Sequence, residues 1–89
     1  ELTKFETKNI NFNIFPNPSK NKITVLTEGF QGNAQITVYN LMGQLIDSFS
    51  IQQGNNSKEV DISTWAEGYY SIHCTSVDFA AVKPLIKIK

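Results

Sequence analysis

The chain has 89 residues, 40% hydrophobic and 11% aromatic, with eight Lys, no Arg and eight acidic residues, for a formal net charge of zero. That length holds one small domain with one core and excludes two. The balanced charge and missing Arg exclude the clustered basic face of a nucleic-acid binder, and no apolar run approaches the ~20 residues of a membrane-spanning helix.

No basic-plus-apolar leader opens the chain, so it reads as a mature segment or a piece of something longer. Cys74 is the single cysteine and excludes an internal disulfide. A composition rich in Asn, Ser and Thr fits an extracellular module. Glu1 to Lys8 is polar with one Phe and reads as a linker, so residues 1–10 form a leading segment and residues 11–89 the folded domain. Asn9 to Phe15 alternates, with Ile10, Phe12 and Ile14 on one face of a short strand. Pro16-Asn17-Pro18-Ser19 ends it: each proline fixes φ and removes a ladder donor, and Asn17 is held extended by the proline after it. The result is a rigid corner. Lys22 to Glu28 is β-branched-rich and forms the second strand, followed by a turn over Gly29–Asn33.

Ala34 to Asn40 is the third strand, with Ile36 and Val38 on one face and Thr37 and Tyr39 on the other. Asn40-Leu41-Met42-Gly43 carries the type I turn signature, because Asn accepts from local backbone donors and Gly tolerates positive φ. Gln44 to Ile51 returns as the fourth strand, making Ala34–Ile51 a hairpin. Gln52–Asn56 is a turn and Ser57–Ile62 a fifth strand with Val60 and Ile62 inward. Ser63 to Gly68 is an irregular crossing, with one helical turn capped by Ser63 as an option. Tyr69 to Ser76 is the sixth strand, with Tyr70, Ile72 and Cys74 inward. Ser76-Val77-Asp78 turns the chain into a seventh strand, Ala80 to Lys89. Pro84 inside it marks an edge strand or a bulge.

About seven short strands with turn signals between them predict an all-β fold, an immunoglobulin-like antiparallel β-sandwich. The last stretch stands out, because its alternation runs to the final residue. Ile86 and Ile88 share one face, expected inward, and Lys87 and Lys89 the other, expected outward. Lysines on an edge strand guard against edge-to-edge aggregation; the same row also suits recognition, and composition does not separate the two.

Candidate chemistry is sparse. His73 stands alone, opposite Tyr70 and Ile72, where a surface position is the plain expectation. Cys74 faces inward as an inert small hydrophobe. Asp47, Glu59, Asp61 and Asp78 lack the spacing of a calcium loop. No phosphate loop or serine elbow is present, so no catalytic, cofactor or metal site is expected. Tyr39, Tyr69 and Trp65 allow a sugar-stacking face. The plainer alternative is that Trp65 plugs one end of the sandwich while Tyr39 and Tyr69 pair across strands.

One ordered series of motifs resembles a known family. Phe15-Pro16-Asn17-Pro18 comes first, then Ile36-Thr37-Val38-Tyr39-Asn40-Leu41-Met42-Gly43-Gln44. Val60-Asp61-Ile62-Ser63 and Gly68-Tyr69-Tyr70-Ser71-Ile72 follow, and Lys83-Pro84-Leu85-Ile86-Lys87-Ile88-Lys89 closes the chain. From about Asn11 to Lys89 this closely resembles the C-terminal sorting domain of proteins exported by the type IX (Por) secretion system of Bacteroidetes-type bacteria. The chain departs from the pattern at Trp65-Ala66-Glu67, where such domains often carry Leu-Pro and one more residue.

The resemblance implies a non-catalytic secretion signal attached to an N-terminal cargo. It implies passage through the periplasm, recognition by the outer-membrane translocon, and cell-surface attachment by a sortase, or release. Carried over by position, recognition falls on Lys83, Pro84, Leu85, Ile86, Lys87, Ile88 and Lys89. Pro16, Asn17, Pro18, Tyr39, Asn40, Gly43, Gly68 and Tyr70 are structural motif positions. Any cleavage falls within or before residues 1–11. Open edges and a linker strand also allow a strand-exchanged homodimer. Beside this stand two other classes, a carbohydrate-binding or adhesive module and a structural spacer of fibronectin type.

Overall fold

A computed structural model describes residues 10–77 and 79–89. Residues 1–9 and Asp78 lie outside it, and with them the expected linker, any cleavage point there and one of the four acids. Seven strands fill the described chain: β1 (Asn11–Phe15), β2 (Lys22–Phe30), β3 (Ala34–Asn40), β4 (Leu45–Ile51), β5 (Gly54–Asp61), β6 (Gly68–Ser76) and β7 (Phe79–Lys87). They form a three-stranded sheet in the order β1-β2-β5 and a four-stranded sheet in the order β4-β3-β6-β7. Every strand pair is antiparallel. The expected antiparallel sandwich is what forms.

Period-2 alternation builds it. Phe12 and Ile14 from β1, Ile23 and Val25 from β2, Ile36 and Val38 from β3, and Tyr70, Ile72 and Cys74 from β6 are all buried in one core. Thr27 is the polar intruder, and its hydroxyl donates to the Asn56 carbonyl at 3.3 Å. That bond removes the penalty of an unpaired buried hydroxyl.

Several strand boundaries differ from expectation, β7 running Phe79–Lys87 rather than Ala80–Lys89 among them, and two of the shifts have a visible cause. β2 continues through Gly29 to Phe30, because Gly29 takes φ 79° at a register shift between Thr27 and Phe30. A bulge there lets the strand resume and bury Phe30 against the edge of Phe79, 5.0 Å away. β5 likewise begins at Gly54, inside the expected turn, by pairing Phe30 with Gly54. The hairpin turn forms as read: the Gly43 N–H donates to the Asn40 carbonyl, and the Asn40 N–H to that of Gln44, both at 3.0 Å. Asn40 Oδ1 also accepts from the Met42 and Gln44 N–H groups, and Gly43 supplies the φ of 83° that this turn demands.

The crossing from β5 to β6 is a turn, not a helix. Asp61, rather than Ser63, organises it: Asp61 Oδ1 accepts from the Ser63 hydroxyl at 2.7 Å and the Ser63 N–H at 2.9 Å. The Ser63 hydroxyl and then its N–H hold the Asp61 carboxyl below its ordinary value of 3.8. The Trp65 N–H closes the turn onto the Ile62 carbonyl.

Candidate functional site at the terminal strand

β7 is an edge strand, as Pro84 required, and its register on β6 is unbroken: Tyr70 faces Leu85, Ser71 faces Pro84 and Gly68 faces Lys87. Tyr70 is committed to the core. Its hydroxyl donates to the Ala66 carbonyl at 2.6 Å, and its ring lies 5.0 Å from that of Trp65. Leu85, directly opposite, is therefore driven inward to 0% exposure.

Alternation then fixes its neighbours, against expectation. Ile86 and Ile88 face outward at 39% and 38% exposure, and Lys87 is inward at 6%. The Lys87 stem lies along the sandwich margin, and its ammonium donates to the Ile88 carbonyl at 2.9 Å. Lys83 shares the inward parity and is half-buried, while Lys89 is exposed at the tip. The expected outward lysine row does not exist; the outward row is apolar.

The outer edge of β7 is also not open where recognition was expected. Asn17 stands between Pro16 and Pro18, neither of which has an N–H to offer, and both preceding peptide bonds are cis. The Asn17 side-chain amide takes the place of a strand peptide. Its Nδ2 donates to the Pro84 carbonyl at 2.9 Å, and its Oδ1 accepts from the Ile86 N–H at 2.9 Å. Ser19 continues the seal through its backbone: its N–H donates to the Ile86 carbonyl and its carbonyl accepts from the Ile88 N–H, at 2.9 and 2.8 Å. Ser19 forms a parallel bridge with Lys87 and is itself buried, with its hydroxyl donating to the Lys22 carbonyl.

These bonds show that Pro84 occupies an outward-pointing position, where its missing N–H costs no bond to β6. Among the described residues, the outward backbone groups of β7 left unpaired are those of Ala80 and Val82. The sequence signal for the seal was the Asn between two prolines. Locally that pattern specifies only a corner, because the bonded residue lies 67 positions away.

The other motif positions gather at the same end. Asn40 lies opposite Tyr70 across β3 and β6. The turn at Leu41 and Met42 adjoins Ala66 to Tyr70 around a shallow cleft. Gly68 takes φ 143° with no atom within 4 Å of an added Cβ. Its cost to any other residue is conformational, not steric. Gly68→Ala is expected to lower stability by about 1–2 kcal/mol in urea denaturation; an unchanged midpoint would show that the backbone there relaxes freely.

The aromatic expectations split. Trp65 is partly buried against the core, as a plug at one end of the sandwich would be. Tyr39 and Tyr69 do not pair: Tyr39 lies opposite Ser71 and packs its ring edge-on to His73 at 4.9 Å, while Tyr69 lies opposite Ile86. No three His, Cys, Asp or Glu side chains converge among the described residues. Cys74 is fully buried, and burial pushes its thiol up to about 11 from 9.0. The folded domain should therefore resist alkylation at pH 8 and react on unfolding in urea. Because the folded value is raised, the stability linked to the protonated thiol is intact below pH 9 and lost as pH climbs toward 11. Rapid labelling of the native domain at pH 8 would contradict the burial.

The fold and its closed end define a small immunoglobulin-like sandwich whose last strand is stitched into the body by its first corner. The family model described as the secretion system C-terminal sorting domain matches residues 13–89, and the chain belongs to that family. It is a type IX secretion C-terminal sorting signal. No curated protein matches the chain. Among solved structures, dimeric latent PorU from Porphyromonas gingivalis shares the fold, with a TM-score of 0.71 and 17% identity over 98% of this chain. The chain spans 10% of that protein. Family membership implies contact with the secretion machinery and an attached cargo, and export to the cell surface or beyond. It points to a non-catalytic role.

Proposed function

We propose that this domain is the folded C-terminal tag of a larger cargo, that residues 1–10 link it to that cargo, and that its terminal segment, Lys83 to Lys89, is what the outer-membrane translocon reads. A sortase then acts on the linker side, after periplasmic transit. The observation that carries this reading is the stitching of β7 by Asn17 and Ser19. A tag shared by different cargoes must present one surface each time, and a terminal strand held by the tag's own corner does so whatever precedes it.

Within the segment the roles divide by direction. Leu85 and Lys87 anchor the strand, and Pro84, Ile86, Ile88 and Lys89 are what a partner meets. Strand addition to the sealed half would require displacing Asn17 and Ser19, so the partner reads side chains rather than unpaired backbone. A strand-exchanged homodimer through β1 would re-form the same bonds between copies and gain no new ones, and a single copy on its cargo is the reading adopted.

The test is export of a reporter fused upstream of this chain in a bacterium with a type IX system. Ile88→Ser with Lys89→Ala is expected to cut export while the isolated domain melts as the parent does. Deleting Lys83–Lys89 should abolish export. Undiminished export from both would overturn the proposal.

A further inference from the structure

The two outer faces of the sandwich differ in charge. On the three-stranded sheet, Lys22, Glu28, Glu59 and Asp61 point outward, and Lys22 and Glu59 pair at 3.7 Å. On the four-stranded sheet, no Lys, Asp or Glu among the described residues points outward. Contacts across the strands confirm which residues share that face. Gln35 Nε2 donates to the Ser48 hydroxyl, and the Ser50 hydroxyl donates to Gln35 Oε1. Tyr39 packs on His73, and the Ser71 hydroxyl meets His73 Nε2 at 3.3 Å.

Apolar groups ring these hydroxyls and are strongly exposed: Leu45 is 59% accessible, Val82 56% and Tyr69 41%. The outward apolar row of β7 runs from Val82 through Pro84 to Ile86 and joins this face to the terminal segment. Depletion of charge together with exposed aromatic and aliphatic side chains is the composition of the centre of a protein interface.

We infer that the charge-free outer face of the four-stranded sheet is a docking surface for an uncharged, apolar surface of the secretion machinery. This rests on the proposed reading of the terminal segment and extends the contact from β7 across β6 and β3 to β4. Two observations select this occupant. A partner bearing charge would lose its solvation against this face with no opposite charge to meet. Strand spacings give the face about 400 Å², half of the ~800 Å² per partner of a standard stable interface. A second copy would therefore be held poorly, whereas a transient encounter, which releases the cargo after recognition, suits that size.

A lysine placed on this face tests the inference by burying an unpaired charge on docking. Reporter fusions carry Thr37→Lys on β3 or Val82→Lys on β7, with Thr24→Lys on the charged sheet as the control. Thermal melts and sedimentation accompany each. Thr37→Lys and Val82→Lys should each lower export at least about tenfold, with melts unchanged, while Thr24→Lys exports as the parent does. Two positions on different strands keep the test decisive if one substitution perturbs folding. Normal export from both would overturn the inference, and loss of export in Ile88→Ser with Lys89→Ala, with its melt unchanged, would show in the same cells that the terminal reading still stands. Equal export with and without Lys83–Lys89 would instead sink that reading, and this one with it. A parent that sediments as a dimer, dissociated by Thr37→Lys, would assign the face to a second copy and overturn the assignment to the machinery.

Discussion

Replacing Leu85 with alanine is expected to lower the stability of the domain by about 3 kcal/mol, seen as a fall of about 15 °C in melting temperature. Leu85 is fully buried and packs opposite Tyr70, where β7 closes the core. Truncation removes three heavy atoms and leaves a void that the rigid Tyr70–Trp65 pair fills poorly. A domain of this size has a total stability of only about 5–10 kcal/mol, so the loss is a large share. Leu85→Met, which nearly conserves volume, should cost under about 1.5 kcal/mol. Loss of export in Leu85→Ala is thus a folding effect, and this residue anchors the terminal segment rather than being read in it. A melt within 3 °C of the parent would show that β7 contributes little to the core.

Asn17→Ala is expected to cost about 2 kcal/mol, the sum of two side-chain bonds worth about 1 kcal/mol each. The carbonyl of Pro84 and the N–H of Ile86 lose their partners together. Asn17→Asp keeps an acceptor for Ile86 but sets an oxygen against the Pro84 carbonyl, so it should not rescue. Both variants leave the core untouched. Their effect on export therefore separates a tag that needs its last strand sealed from one that needs it free: the account predicts lower export, not higher. A urea midpoint unchanged in Asn17→Ala would mean that the Ser19 backbone bonds alone hold the edge.

Much of this fold was legible from period and punctuation. Asn40-Leu41-Met42-Gly43 announced a hairpin because its turn chemistry is local, and Pro84 announced an edge. The inward assignments of Ile36, Val38, Tyr70, Ile72 and Cys74 followed from β-strand alternation in which the apolar row lies inside. At β7 that same rule misled. Ala80, Val82, Pro84, Ile86 and Ile88 are the more apolar row, yet they face out, because the register against Tyr70 and the Asn17 clamp decide the parity. Both are long-range facts. Asn17 meets a residue 69 positions away, and no local pattern encodes that meeting.

The Lys87 ammonium likewise looked solvated from its type, and only the packing shows its stem lying inside. The apolar residues that a sequence assigns to the core and the fold leaves outside are the ones most in need of a partner. Ile86, expected inward and found outward, adjoins the proposed docking face beside Tyr69.

Whether a partner meets the backbone edge of the last strand or its outer side chains turns on one structural fact, which amide hydrogen exchange reads directly. The outward N–H groups of Ile86 and Ile88 are sealed by Asn17 and Ser19, while those of Ala80 and Val82 have no hydrogen-bond partner among the described residues. In the native domain, Ile86 and Ile88 are predicted to exchange at least about 100-fold more slowly than Val82, and Asn17→Ala should speed Ile86 selectively. Exchange at Ile86 and Ile88 as fast as at Val82 would contradict the sealed edge and return the terminal strand to docking by strand addition.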